Sequence, residues 1–287
     1  MRIQKYLDNT IDLTNKTILV TGPTAGIGLA MVDHLLYKHA HVVMMARNKE
    51  KADRIINELL NKYPGSKIDF ILYDQSKFSS IDLAIKEIKE KYSDFYALIL
   101  NAGMMIPDKK IKTEQGYTLT MGTNFIGVHY FVKEITKDLK GQRRIIFQGS
   151  CTAANRVKKN IDIYSEKLSM WREYSVSKSG VEATFYHYYI NNKDNNMMYL
   201  LCEPGIVGTD ITRYYHPIIR FLGKYFLKVV THKPPKGALT AIRCLQDDCN
   251  DGDYYVPRGI FTFMGYPKKK KFPKHRIREY LYNKLPR

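Results

Sequence analysis

Short apolar runs alternate with amphipathic stretches through the first third of the chain. The runs fall at 17–20, 41–46, 67–73 and 96–100. Between them, apolar residues recur at helical spacing: at 29–36, then Ala52, Ile55, Ile56, Leu59 and Leu60 behind a capping Asn48, then Ile81, Ala84, Ile85 and Ile88. The second half predicts a long helix at 119–139, a strand at 143–148, an irregular stretch, and a helix carrying Tyr174 and Lys178. A strand at 197–202, a helix at 235–246 and a last strand at 254–256 complete the pattern. Strict alternation with short connections predicts one doubly wound α/β domain, a parallel sheet of about seven strands with helices on both faces. Right-handed crossovers then gather the functional loops at the C-terminal edge of the strands. Residues 1–16 read as a polar lead-in, 17–260 as the domain, and 261–287 as a basic tail.

Composition narrows the classes. Of 287 residues, 44% are hydrophobic, enough for a sizeable core. No apolar stretch reaches the ~18 residues of a membrane span, and Met1 to Asp8 lacks the apolar centre of a signal peptide. Cys151, Cys202, Cys244 and Cys249 have no CxxC spacing, which argues against a metal site or disulfide framework and makes a reducing cytoplasm the default. The formal charge is +18, but the lysines are scattered, which does not describe a specific nucleic-acid face. The exception is Lys268 to Lys271, continued by Lys274, His275, Arg276 and Arg278. That cluster reads as solvated surface, with contact to an acidic membrane or polyanion as the functional alternative.

Candidate chemistry begins where the first run ends, at Thr21-Gly22-Pro23-Thr24-Ala25-Gly26-Ile27-Gly28. A strand turning through three glycines into a helix suits a diphosphate. The glycines let backbone approach the ligand, and the helix end offers unpaired N–H groups. Arg47, Asp74 and Asn101 follow later strands and reach the same edge.

Tyr174 and Lys178 lie four apart on a predicted helix and share a face. A nearby ammonium favours the phenolate and makes proton exchange with a substrate oxygen feasible. Ser150, at the end of a strand on the same edge, could hold a carbonyl oxygen, and Asn124 could tie the lysine to a water chain. Each has a plainer reading as a surface or buried polar residue. A hydrolase is disfavoured, because Gly149-Ser150-Cys151 lacks the glycine-flanked nucleophile elbow.

Taken together, these residues resemble the classical short-chain dehydrogenases/reductases, a Rossmann-fold family, over about residues 14–260. Thr21 to Gly28 is similar to its TGxxxGxG turn (Gly22, Thr24, Ala25, Gly26, Ile27, Gly28) and Asn101-Ala102-Gly103 to its NAG motif. Asn124, Ser150, Tyr174 and Lys178 fall where its tetrad is expected. Pro204-Gly205, with Val207 and Thr209, resembles the segment at the nicotinamide end of the cofactor. The resemblance implies that Tyr174 is the general acid in reduction, Lys178 lowers its pKa and holds the nicotinamide ribose, Ser150 polarises the carbonyl and Asn124 supports the helix shape. Asp74, with Gln75 beside it, would contact the adenine, and a homodimer or homotetramer is implied. Two departures stand out: Gly149 where many relatives have serine, and 24 positions between Ser150 and Tyr174, similar to the retinol-dehydrogenase-like branch.

An NAD-selective enzyme of this type carries an acid after the second strand. Here the place reads Ala46-Arg47-Asn48-Lys49, which predicts NADP(H), with Arg47 on the 2′-phosphate, over NAD(H). The 206–235 segment reads as a substrate lid rich in Ile, Tyr and Phe, suited to a lipophilic carbonyl or alcohol, with Tyr164, Met170 and Trp171 as a further wall. Basic positions from Arg220 to Lys228 also suit a peripheral membrane contact. A cofactor-binding sensor or scaffold without turnover is the competing reading.

Overall fold

The computed structural model describes residues 2–106, 108, 110–137, 139, 141–153, 161–192, 197–208, 232–259, 262–273, 281 and 283. Much of the expected lid (209–231, with Thr209) and of the basic tail lies outside the described residues.

Strands β1 (Thr17–Thr21), β2 (His41–Ala46), β3 (Ile68–Leu72), β4 (Ala97–Leu100), β5 (Arg143–Gln148), β6 (Met197–Cys202), β7 (Tyr254–Pro257) and β8 (Pro267–Lys270) form one sheet in the order β3-β2-β1-β4-β5-β6-β7-β8. All neighbours are parallel except β7 and β8. Successive side chains enter opposite cores. Ile18 and Val20, Val42 and Met44, and Ala97 and Ile99 face one; Leu19, Val43 and Met45, and Leu98 and Leu100 face the other. Burial on both faces is why these strands read as continuous apolar runs.

Helices α2 (Gly26–Tyr37), α3 (Lys49–Lys62), α4 (Phe78–Lys91), α6 (Gly127–Thr136) and α7 (Met170–Ile190) cover the faces. Asn48 caps α3 as expected, accepting from Lys51 N at 2.6 Å. The lead-in is more than polar chain. Helix α1 (Ile3–Asp8) and the following turn bury Leu7 and Leu13 in the core beside β1.

Two expected helices are corrected, and the parallel sheet of about seven strands gains one antiparallel strand. The helix expected over 119–139 is α5 (Leu119–Met121), a π turn (Gly122–Ile126) and α6. The helix expected over 235–246 is two short pieces, α8 (Pro234–Gly237) and α9 (Leu239–Arg243). The sheet has eight strands, because the start of the basic tail pairs antiparallel with β7 as β8. Lys269 Nζ meets Asp253 at 2.6 Å, and Phe272 packs against Phe185, Tyr186 and Tyr254. Lysine-rich sequence carries no apolar alternation, so pattern reading overlooks such an edge strand.

At the start of α6, Gly127 crosses the loop after β3 with no room to spare: a Cβ there would stand 1.9 Å from Gln75 O. Gly127→Ala is expected to lower unfolding free energy by about 1–3 kcal/mol, from forced displacement of a backbone carbonyl. A urea denaturation curve matching wild type would contradict this packing.

Candidate active site

The sheet order reverses its winding between β1 and β4, so the loops leaving their C-terminal ends diverge and open a crevice. Thr21 and Asn101 tie the two ends together. Thr21 Oγ1 accepts from Asn101 N and Ala102 N, each at 3.0 Å. Asn101 Nδ2 donates to Thr21 O at 2.8 Å and Gly22 O at 3.1 Å, and Gln148 Nε2 donates to Asn101 Oδ1 at 2.8 Å. The Asn101-Ala102-Gly103 segment is thus the wall of the turn. Thr21 opens the turn read from sequence, whereas Gln148 was not singled out; its place as the last residue of β5 is the signal it offers.

The turn itself has the form a diphosphate needs. Gly22 has φ of 65°, and a Cβ at Gly28 would lie 2.1 Å from Gly22 O. Helix α2 starts after Ala25, which gives no side-chain cap, and its first turn holds no acid. Its leading N–H groups are therefore suited to an anion, flanked by half-buried Thr24 and Ile27 and exposed Ala25. These features fit a nicotinamide dinucleotide.

Around the crevice, Gly22 N bonds Met45 O at 3.1 Å, which brings the end of β2 beside the turn. Arg47 leaves there, exposed and without an ion pair among the described residues. The Asn48 side chain is taken up in capping, and Lys49 Nζ pairs with Asp53 at 2.8 Å. Asp74 Oδ1 accepts from Ser76 N at 3.0 Å and Ser76 Oγ at 2.6 Å, fixing the carboxylate beyond β3. Gln75 is a structural brace, donating to Thr123 O at 2.7 Å and Ala102 O at 3.2 Å.

The remaining residues converge from α7, the π turn and β5. Ser169 caps α7, and Tyr174 and Lys178 follow one turn apart, both buried. Lys178 Nζ donates to Gln148 O at 3.0 Å, two residues before Ser150. Burial pushes the Lys178 ammonium down to about 8, against the opposing influence of Cys202 and Glu182. Ser150 Oγ is half-buried, 2.9 Å from Thr152 Oγ1.

Asn124 is fully engaged. Its Oδ1 accepts from Met104 N, and its Nδ2 donates to Met104 O, each at 2.8 Å. Nδ2 also reaches Ser177 Oγ at 3.0 Å, and Ser177 Oγ donates to Tyr174 O at 2.8 Å. The wide π turn presents this side chain between the loop after β4 and helix α7. A Cβ at Gly103 would lie 3.3 Å from Asn124 Oδ1 and 3.6 Å from Lys178 Nζ, so these groups form one cluster.

On the far side, Gly205 has φ of 76°, and Val207 bridges to His232. Thr209 lies outside the described residues. Of the expected wall, Tyr164 bonds Tyr117 through their hydroxyls at 2.8 Å, and Trp171 is largely exposed.

Comparison with known proteins gives this geometry a family. The family model for short chain dehydrogenase matches residues 16–217. A short-chain dehydrogenase/reductase, pkfC, of Emericella nidulans is 28% identical over 285 residues, covering 92% of this chain and 89% of the relative. Human polyprenol dehydrogenase is 25% identical over 239 residues, covering 79% and 72%. Among solved structures, a protein from Mycobacterium Paratuberculosis superposes with a TM-score of 0.70 at 18% identity, covering 96% of this chain and 92% of the other. L-sorbose reductase from Gluconobacter frateurii, solved with NADPH and L-sorbose, gives 0.64 at 14% identity, covering 83% and 92%. The turn, the NAG wall and the buried tyrosine–lysine helix are features this kinship accounts for, and the chain belongs to the short-chain dehydrogenase/reductase family, oxidoreductases acting on CH–OH groups.

Proposed function

We propose that the protein is an NADP(H)-dependent reductase or dehydrogenase for a lipophilic carbonyl/alcohol pair. The observation that carries this reading is the 3.0 Å bond from Lys178 Nζ to Gln148 O, which ties the Tyr174 helix to the strand end bearing Ser150. Bound NADPH would supply the hydride in reduction, and NADP+ would accept it in oxidation. Ser150 Oγ holds the substrate oxygen; the Tyr174 hydroxyl gives it a proton in reduction, and the Tyr174 phenolate takes one from the alcohol in oxidation. The Lys178 ammonium favours the phenolate form of Tyr174. Asn124 holds the loop after β4 against α7, so that the proton donor and the cofactor wall keep their spacing.

Arg47 supports the phosphorylated cofactor: it is exposed beside the turn, whereas Asn48 and Lys49 are occupied locally. A lipophilic substrate is supported by the human relative named polyprenol dehydrogenase. No helix among the described residues is long and apolar enough to cross a membrane. The exposed lysines of β8 favour contact with an acidic surface, where such a substrate would be met.

The test is NADPH absorbance with a panel of ketones, aldehydes and long-chain alcohols. Tyr174→Phe is expected to bind NADPH normally and lose roughly 10²–10⁴-fold in kcat. Cofactor binding by wild type without turnover of any substrate would favour a sensor instead. Arg47→Asp is expected to raise the KM for NADPH by roughly ten-fold or more and to bring NADH closer to parity; an unchanged preference would remove Arg47 from this role.

The pH profile follows from the lysine. Lys178 is charged below about pH 8 in the cofactor-free protein and neutral above it. For reduction, kcat/KM for NADPH is therefore expected to fall as pH rises through about 8, since that ratio reports the free enzyme. A flat profile across that pH range would contradict the assignment.

A further inference from the structure

His232 lies far along the chain from the turn that ends β6, yet the two are joined at three points. His232 Nε2 stands 2.7 Å from Pro204 O. Its backbone N donates to Ile206 O at 3.0 Å, and Gly208 N donates to its carbonyl at 3.4 Å. A carbonyl oxygen only accepts, so Nε2 carries the proton and Nδ1 is the bare nitrogen. That Nδ1 is buried and has no hydrogen-bond partner among the described residues. Burial, aided by the charge of Lys236 and opposed by the Pro204 bond, holds the imidazole below its usual pKa. The ring is thus a neutral donor with one task.

The target of that donor is well defined. Gly205 follows Pro204 in the left-handed region, where a Cβ would stand 2.3 Å from Phe263 O and 2.9 Å from His232 Nε2. Ile206 N is held by Phe263 O at 2.9 Å. Backbone bonds therefore fix the peptide after Gly205, while the Pro204 carbonyl is set by the imidazole alone among these contacts.

We propose that His232 is a positioning residue for the nicotinamide end of the cofactor. Its Nε2–H fixes the Pro204 carbonyl, and with it the plane of the Pro204-Gly205 peptide, the segment that resembles the family's nicotinamide end. This rests on the cofactor reading above. A merely structural histidine would affect every ligand alike or none; a positioning one acts on the nicotinamide end and spares the adenosine end.

The experiment is calorimetric titration of wild type, His232→Leu and His232→Gln with NADPH and with adenosine 2′,5′-bisphosphate, alongside melting curves. Leucine keeps bulk without a donor, and glutamine restores an N–H at similar reach. His232→Leu is expected to weaken NADPH by roughly ten-fold and leave the bisphosphate within about two-fold, and His232→Gln to recover most of the loss. Should the leucine variant fail to fold, His232→Met, of similar length and also without an N–H donor, replaces it. Unchanged NADPH affinity without the donor, equal loss of both ligands, or no recovery with glutamine would each overturn the proposal. Wild type that binds neither ligand would instead overturn the cofactor reading and this proposal with it.

Discussion

Everything at the C-terminal edge depends on how β1 and β4 are held where the sheet changes its winding direction. The Thr21 hydroxyl and the Asn101 amide exchange four hydrogen bonds with backbone across that junction. Each contributes about 1 kcal/mol net, but leaving a buried member unpaired costs about 1–3 kcal/mol, so the set resists piecemeal loss. Because this junction is rigid, Gly28 can sit against Gly22 with no side-chain volume between them, and α2 starts at one fixed place. The geometry of the turn, the wall beside it and the approach of β2 all follow.

The second constraint is a cation in the core. Lys178 is buried, and desolvation works against its charge. The bond to Gln148 O offsets part of that cost and anchors the helix to β5. Around it, Asn124 makes three side-chain bonds, Ser177 relays one of them to Tyr174 O, and the backbone opens into a π turn to let Asn124 reach. A straight α-helix there would be the better local solution. The departure falls where several polar groups meet inside the protein, as expected where function competes with regularity.

Stability is drawn instead from regular parts. Two apolar cores flank the sheet, and the ends of the chain close it. Helix α1 buries Leu7, while β8 covers the β7 edge with lysines outward and Phe272 inward. An outermost strand rich in lysine pairs readily on one side and discourages a further strand on the other.

The doubly wound sheet was legible in sequence because its strands are buried on both faces and its helices on one, so apolar runs and helical stripes alternate without ambiguity. Asn48 as a cap and the three-glycine turn were legible because backbone geometry demands those residue types locally. The residues that brace the site were not. Gln75 and Gln148 look alike in sequence to any polar residue at a strand end, and only their reach to Thr123 O and Asn101 Oδ1 distinguishes them. The π turn was hidden within an ordinary apolar helix pattern, and the Met104 backbone that its Asn124 bonds lies twenty positions upstream. His232 was hidden for the same reason, and β8 because a lysine-rich strand carries no apolar alternation. Sequence by itself determined the central strands, their covering helices and the glycine turn, because periodicity and turn geometry are local. Which polar atoms pair was decided only by tertiary structure, because hydrogen bonds between distant segments leave no periodic trace in the chain.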